Sequence, residues 1–136
     1  HQNLPKYETS GSAGLDLSAA IKTPLMLEPG ARQLIPTGIS CVIPTGHEGQ
    51  IRSRSGLSWK HGIIVLNAPA TIDSDHRGEL KVILMNMGQS SFTVTPGMRI
   101  AQLVFAQYVK TTWKVVENLS AYPTDRGDGG FGSTGV

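Results

Sequence analysis

Apolar and polar positions alternate in short runs along this chain, and turn-forming residues separate the runs at close intervals. Ala13, Leu15, Leu17 and Ala19 fall on one face of an extended segment, and Ile39, Cys41 and Ile43 on one face of another. Leu80, Val82 and Leu84 alternate with Lys81, Ile83 and Met85, which predicts a strand covered on both faces. Ile100 to Val109 (IAQLVFAQYV) reads as one more strand. Pro29-Gly30, Pro36-Thr37-Gly38, Pro44-Thr45-Gly46, Pro69 and Pro96-Gly97 supply the turns. Many short strands evenly spaced by turns predict a sandwich or barrel. Only Ser55 to Gly62 (SGLSWKHG) can hold a helical turn or two, and its glycines limit it.

Composition agrees with this pattern. At 136 residues the chain is one domain, large enough to bury a core without a disulfide or metal staple. Gly (16) and Pro (8) together exceed the usual ~12% of a chain by about half, which favours turns over long helices. The net charge is +2, and no basic run is denser than Arg52 and Arg54, so the footprint of a nucleic-acid-binding face is missing. Apolar runs such as Ile63 to Leu66 are far shorter than a bilayer span. With no basic–apolar–small leader at its start, the chain is expected to be soluble and cytoplasmic, with no nucleic-acid or membrane partner. The lone Cys41 excludes an internal disulfide, and its neighbours Ile39, Ser40, Val42 and Ile43 make it a packed thiol in a buried strand.

The last residues differ in kind. From Tyr122 the chain reads YPTDRGDGGFGSTGV, with Phe131 its one large apolar side chain amid glycines. Such a segment buries too little surface to order itself. The expected division is therefore a β-rich core over residues 1–121 and a flexible Gly-rich arm over 122–136. Arg126, Phe131, Ser133 and Thr134 equip that arm to grip an anion and an aromatic ring.

Several motifs match by accident. Gly127-x-Gly129-x-x-Gly132 satisfies a dinucleotide fingerprint, yet no helix can follow it within the remaining residues. Ser133 and Thr134 lack the lysine of a phosphate loop. Asp73-x-Asp75-x-Arg77-Gly78 opens like a calcium loop but places Arg77 and Leu84 where ligands belong. Ile72-Asp73-Ser74 resembles the catalytic turn of a dimeric aspartic protease, but Asp75 stands where that turn has glycine. His1, His47, His61 and His76 show no short-range metal spacing.

Five polar or Gly-rich clusters interrupt the apolar sequence: Ala13-Gly-Leu-Asp16-Leu, Arg54-Ser-Gly56, Asn67 to Glu79 (NAPATIDSDHRGE), Gly97-Met-Arg-Ile-Ala-Gln102, and Arg126 to Gly135. Each alone has an ordinary explanation as a turn, cap or surface charge. Together they form a kit for handling a polyphosphate: guanidinium and hydroxyl groups for phosphate oxygens, a Gly-rich segment whose N–H groups can wrap an anion, and carboxylates for a hard cation and a water.

In this order the clusters closely resemble the five motifs of the trimeric dUTP pyrophosphatases (dUTPases), from Ala13 to Gly135. The resemblance implies an all-β single domain, a distorted jelly roll of the β-clip kind, assembled as a homotrimer with three active sites each built from three subunits. It implies hydrolysis of dUTP to dUMP and pyrophosphate with Mg²⁺, which limits uracil in DNA and supplies the precursor of dTMP. Asp73 would be the general base that orients the attacking water. Asp16 would hold waters of the Mg²⁺ shell. Arg54, Ser55, the Gly56 backbone and Gln102 would contact phosphate and stabilise the departing pyrophosphate. Asn67, with Ala70, Thr71 and Lys81, would complete the substrate-binding set around the base, where matching the hydrogen-bond pattern of uracil refuses cytosine. From the arm, Arg126 would pair with the terminal phosphates, Phe131 would stack over the uracil, Ser133 and Thr134 would bind the γ-phosphate, and Gly132 would belong to the substrate-binding set.

Two positions depart from the family pattern. Ala70 stands where relatives usually have Gly, and would be strained if its φ were positive. His76 stands where relatives usually have Tyr packed on the deoxyribose, so sugar selectivity is expected to be looser and binding more pH-dependent. Two other readings stay open on sequence alone: a nucleotide-binding module of the same fold with weakened chemistry, and a two-fold aspartic protease.

Overall fold

The structure, a computed structural model, describes residues 4–135; His1 and the extreme ends of the two expected regions lie outside the described residues. Among the described residues nine strands and one short helix follow one another: β1 (Leu15–Ser18), β2 (Leu25–Leu27), β3 (Arg32–Pro36), β4 (His47–Arg52), α1 (Ser55–His61), β5 (Ile63–Val65), β6 (Ala70–Ile72), β7 (Lys81–Asn86), β8 (Phe92–Val94) and β9 (Arg99–Gln107). They make three antiparallel sheets, ordered β1-β9-β4-β6, β2-β8 and β3-β7-β5. The fold is all-β, as the alternating runs require.

The alternation turns directly into a core. Leu17 and Ala19 of the first run, Leu80, Val82 and Leu84 of the third, and Ile100, Ala101 and Leu103 of the last are buried with Leu27, Ile35, Ile51, Ile63 and Val65. On β7 the other face, Ile83 and Met85, is half-buried, so this strand is covered on both sides. Asn86, wholly buried, ties the sheets together: its Nδ2 donates to the Leu27 carbonyl (2.8 Å) and the Ser90 carbonyl (2.9 Å), and its Oδ1 accepts from the Gly88 N–H (2.8 Å).

Three expectations shift in detail. Ile39 to Ile43 keeps its inward face, with Ile43 buried and Cys41 half-buried, but it is not a strand. Gly38 at φ 70° precedes it and Pro44, which has no N–H, follows it, so the extended stretch is tied by the Leu80 N–H to the Ile39 carbonyl instead (2.8 Å). The final strand starts at Arg99 and stops at Gln107, where its last partner, His47 of β4, ends the ladder. Past Gln107 and through Gly135 no strand or helix forms: apart from half-buried Gly129 and Gly130, every described residue there is exposed, and the compositional boundary at 122 falls inside this stretch.

The helix forms where expected and is short for a physical reason. Gly62 ends it in the left-handed conformation (φ 67°), its N–H reaching the Ser58 carbonyl at 2.9 Å. A Cβ on Gly62 would lie 2.5 Å from the Gly88 nitrogen, so two backbones meet there without side chains between them.

Candidate active site

β9 lies between β1 and β4, and this position assembles three of the five clusters. Gln102 sits in register with Asp16 on one side and Arg52 on the other. Arg54, two residues past Arg52 and still extended (φ −94°, ψ 125°), therefore comes to the same face as Gln102 and Asp16. Its Nε donates to Asp16 Oδ1 at 3.0 Å and its Nη1 to the Arg99 carbonyl at 3.1 Å. Arg99 Nη1 donates to Asp16 Oδ2 at 2.9 Å, with Glu8 3.9 Å away on its outer side. Asp16 is mostly shielded and carries two guanidinium partners, so the cluster remains net positive before Glu8 is counted.

The turn from β4 into α1 is pinned on both sides. Ser53 Oγ accepts from the Val65 N–H (2.8 Å), and the Ser53 carbonyl accepts from Gln102 Nε2 (2.9 Å). Gly14 gives Gln102 its room, because a Cβ there would overlap the Gln102 amide. The result is a cavity of about 500 Å³, within the range of small-molecule sites, lined by Asp16, Arg54, Ser55, Gly56 and Gln102 among others. No side chain caps the first turn of α1, which leaves its N–H groups available at the cavity wall.

Five linings had no signal of their own in the sequence. Glu8, Ser12, Leu57, Lys60 and His61 border the cavity because the segment before β1 and the helix α1 flank it. Gly14 was legible only as part of its cluster.

The other predicted residues are elsewhere. Asn67, Thr71, Asp73 and His76 are exposed on the β5–β7 connection, and Lys81 is exposed at the start of β7. β6 pairs antiparallel with β4, Gly49 opposite Ile72, so the next step sets Asp73 opposite Glu48. Arg54 is six positions further along that chain, which at ~3.3 Å per residue puts it about 20 Å from Asp73. One chain therefore does not bring the proposed base to the proposed phosphate site. Arg126, Phe131, Gly132, Ser133 and Thr134 also stand apart from the cavity, Arg126 holding the Gly129 carbonyl (2.9 Å) and Phe131 fully exposed. Ala70 is buried in β6 without a positive φ; among the described residues the non-glycine with one is Phe131 (φ 48°). The alanine is thus unstrained.

No group of three His, Cys, Asp or Glu side chains among the described residues is arranged to hold a metal ion. Both Asp16 oxygens already accept arginine N–H groups, although each retains a lone pair for water. This donor set fits an ion carried on a polyphosphate and met through water, not one ligated by the chain itself. No helix among the described residues is long and apolar enough to cross a membrane.

Fold and cavity together define an all-β protein with a small-molecule-sized cavity bordered by guanidinium, carboxylate, hydroxyl and amide groups. The dUTPase family profile matches residues 1–135. The chain is 54% identical over 134 residues to the deoxyuridine 5'-triphosphate nucleotidohydrolase of Orientia tsutsugamushi (strain Ikeda), covering 98% of this chain and 89% of that protein. It is 58% identical over 133 residues to the enzyme of the same name from Chlamydia pneumoniae, covering 98% and 91%. Among solved structures, the Staphylococcus bacteriophage 80alpha dUTPase with dUPNHPP superposes with a TM-score of 0.89 at 27% identity, over 98% of this chain and 92% of that one. A point variant of the dUTPase from phage phi11 of S. aureus, described with a structural Mg(II) ion, has a TM-score of 0.77 over 85% of this chain and 90% of that one; at 23% identity it speaks to fold alone. The chain belongs to the dUTPase family. Its activity is that of the family's enzymes, the hydrolysis of dUTP by a dUTP diphosphatase.

Proposed function

We propose that the protein cleaves dUTP to dUMP and pyrophosphate by attack of water on the α-phosphorus, in a homotrimer whose sites are each assembled from three subunits. The observation that carries this reading is the division of the motifs: Asp16, Arg54 and Gln102 share one cavity, while Asp73 lies about 20 Å from Arg54 by strand geometry. A base that distant cannot serve the same cavity in one chain, so a second copy must supply it. The exposure of Asp73 and of nearly every described residue beyond Gln107 is what such an exchange needs.

Within the composite site, Asp73 of one subunit accepts a proton from the attacking water as the new O–P bond forms. The bond from the α-phosphorus to the bridging oxygen breaks, and pyrophosphate leaves with that oxygen. Arg54, Ser55, the Gly56 N–H and Gln102 take up the charge that accumulates on the leaving group. Mg²⁺ borne by the triphosphate would neutralise phosphate charge, with Asp16 meeting its water shell. Asn67, Ala70, Thr71 and Lys81 frame the nucleoside, where the unpaired polar groups left by cytosine refuse it. His76 takes the sugar-facing position. Arg126, Phe131, Gly132, Ser133 and Thr134 close over the nucleotide from a third subunit and exclude other water. The consequence in the cell is less uracil in DNA and a supply of dUMP for dTMP synthesis.

The chemistry is tested by Asp73→Asn, which should fold, assemble and bind nucleotide but release pyrophosphate orders of magnitude more slowly. Turnover close to wild type would remove Asp73 from the reaction. Assay of dUTP, dCTP, dTTP and UTP side by side separates the enzyme from a binding module: hydrolysis restricted to dUTP supports the first, binding without hydrolysis the second.

A further inference from the structure

Arg99 has no role in the reaction as proposed, yet the ladder is distorted in a way that aims it at the site. On β1 and β9 the register runs Asp16↔Gln102 and Leu17↔Ala101, and then shifts, so that Ser18 faces Arg99 rather than Ile100. Ile100 is the extra residue of this bulge, and consecutive Ile100 and Ala101 are both buried where regular alternation would bury only one. In an unbroken strand Arg99 would project to the face of Ala101, the core face. The bulge turns it to the face of Gln102 and Asp16 instead.

What it meets there is specific. Arg99 Nη1 takes Asp16 Oδ2 (2.9 Å), Asp16 Oδ1 takes Arg54 Nε (3.0 Å), and the Arg99 carbonyl takes Arg54 Nη1 (3.1 Å). Two of these hydrogen bonds fix the plane of the Arg54 guanidinium from two directions, the third holds the Asp16 carboxylate that accepts one of them, and the other Arg54 N–H groups are left for a ligand. Arg54 is also the better shielded of the two cations, with 27% of its side chain exposed against 50% for Arg99. With Glu8 3.9 Å from Arg99 the two guanidinium groups face two carboxylates, so what Arg99 adds is the orientation of the clamp rather than net charge.

We infer that Arg99 is a positioning residue: through Asp16 and its own carbonyl it locks Arg54 in the orientation that receives the triphosphate. This rests on the reading of the cavity as a dUTP site. Arg99→Gln, which is shorter and uncharged but keeps an N–H donor, and Arg99→Ala are compared in the full-length protein. Arg99→Ala raises KM for dUTP about tenfold with kcat changed less than about threefold, and Arg99→Gln falls between it and wild type. In an Asp16→Ala background Arg99→Ala adds less than about twofold, because the path through the carboxylate is already cut. Equal loss in both backgrounds, or an unchanged KM, overturns the inference.

A readout independent of turnover is the Arg54 Nε–H resonance in ligand-free protein, which is protected from exchange in wild type and lost in Arg99→Ala. A resonance unmoved by that change overturns the inference even if activity falls. Failure of wild-type protein to release pyrophosphate from dUTP refutes the functional reading instead, while the resonance still decides whether the brace exists.

Discussion

If each site takes its phosphate-binding cavity from one subunit and its base from another, two dead variants should restore each other. Arg54→Gln destroys the cavity but leaves Asp73, and Asp73→Asn does the converse. The geometry makes the outcome quantitative, because Arg54 and Asp73 lie just past the ends of β4 and β6 at opposite ends of their ladder, about 20 Å apart by extended-chain spacing, and do not meet within one chain. In a cyclic trimer holding both variants, one site in three pairs an intact Arg54 with an intact Asp73, whichever variant is in the majority. Random assembly from equal amounts then yields about a quarter of wild-type specific activity, and hybrids purified through a tag on each variant about a third. The assay is pyrophosphate release from dUTP after co-refolding, with each variant refolded alone as the baseline. Activity no greater than the sum of those baselines, in hybrids shown to contain both chains, refutes shared sites.

Three further outcomes follow from the packing and the tail. Asn86→Ala strips one buried and two partly buried backbone groups of their partners at the junction of β7, β2 and the loop before β8, and should cost about 3 kcal/mol, read by guanidinium unfolding at fixed protomer concentration; a loss under about 1 kcal/mol would show that water replaces the side chain. Gly62→Ala puts a methyl group against the Gly88 backbone at a positive φ, and should destabilise by about 2 kcal/mol or more; a change within about 0.5 kcal/mol would mean the two segments separate freely. Removal of residues 126–136 should leave the oligomer intact by sizing and abolish fast turnover, and normal hydrolysis of dUTP by the truncated protein would rule out closure of the arm.

The all-β class was legible because burial on one face of a strand imposes a period of two, and Leu17, Val82, Leu84 and Leu103 obey it. The helix over Ser55–His61 was legible from its glycine stop at Gly62. Alternation wrongly predicts a strand at Ile39–Ile43 because it reports which side faces the core and is silent on whether a partner lies within hydrogen-bonding reach. Likewise the residues of the site were nameable one by one, since guanidinium, carboxylate and amide groups declare their chemistry, but not the shift at Ile100 that turns Arg99 toward Asp16.

By itself, then, the order of residues determined the strand-rich class, the inward faces and the stock of phosphate-seeking groups, all of which follow from local periodicity and functional-group chemistry. Only the tertiary structure decided which of those groups share a cavity. Proximity between Asp16, Arg54 and Gln102 depends on β9 pairing with both β1 and β4, a set of contacts that sets Asp16 opposite Gln102 across 86 positions of sequence. The same ladder sends Asp73 to the far end of β4, and no local pattern encodes a distance set by which strands become neighbours.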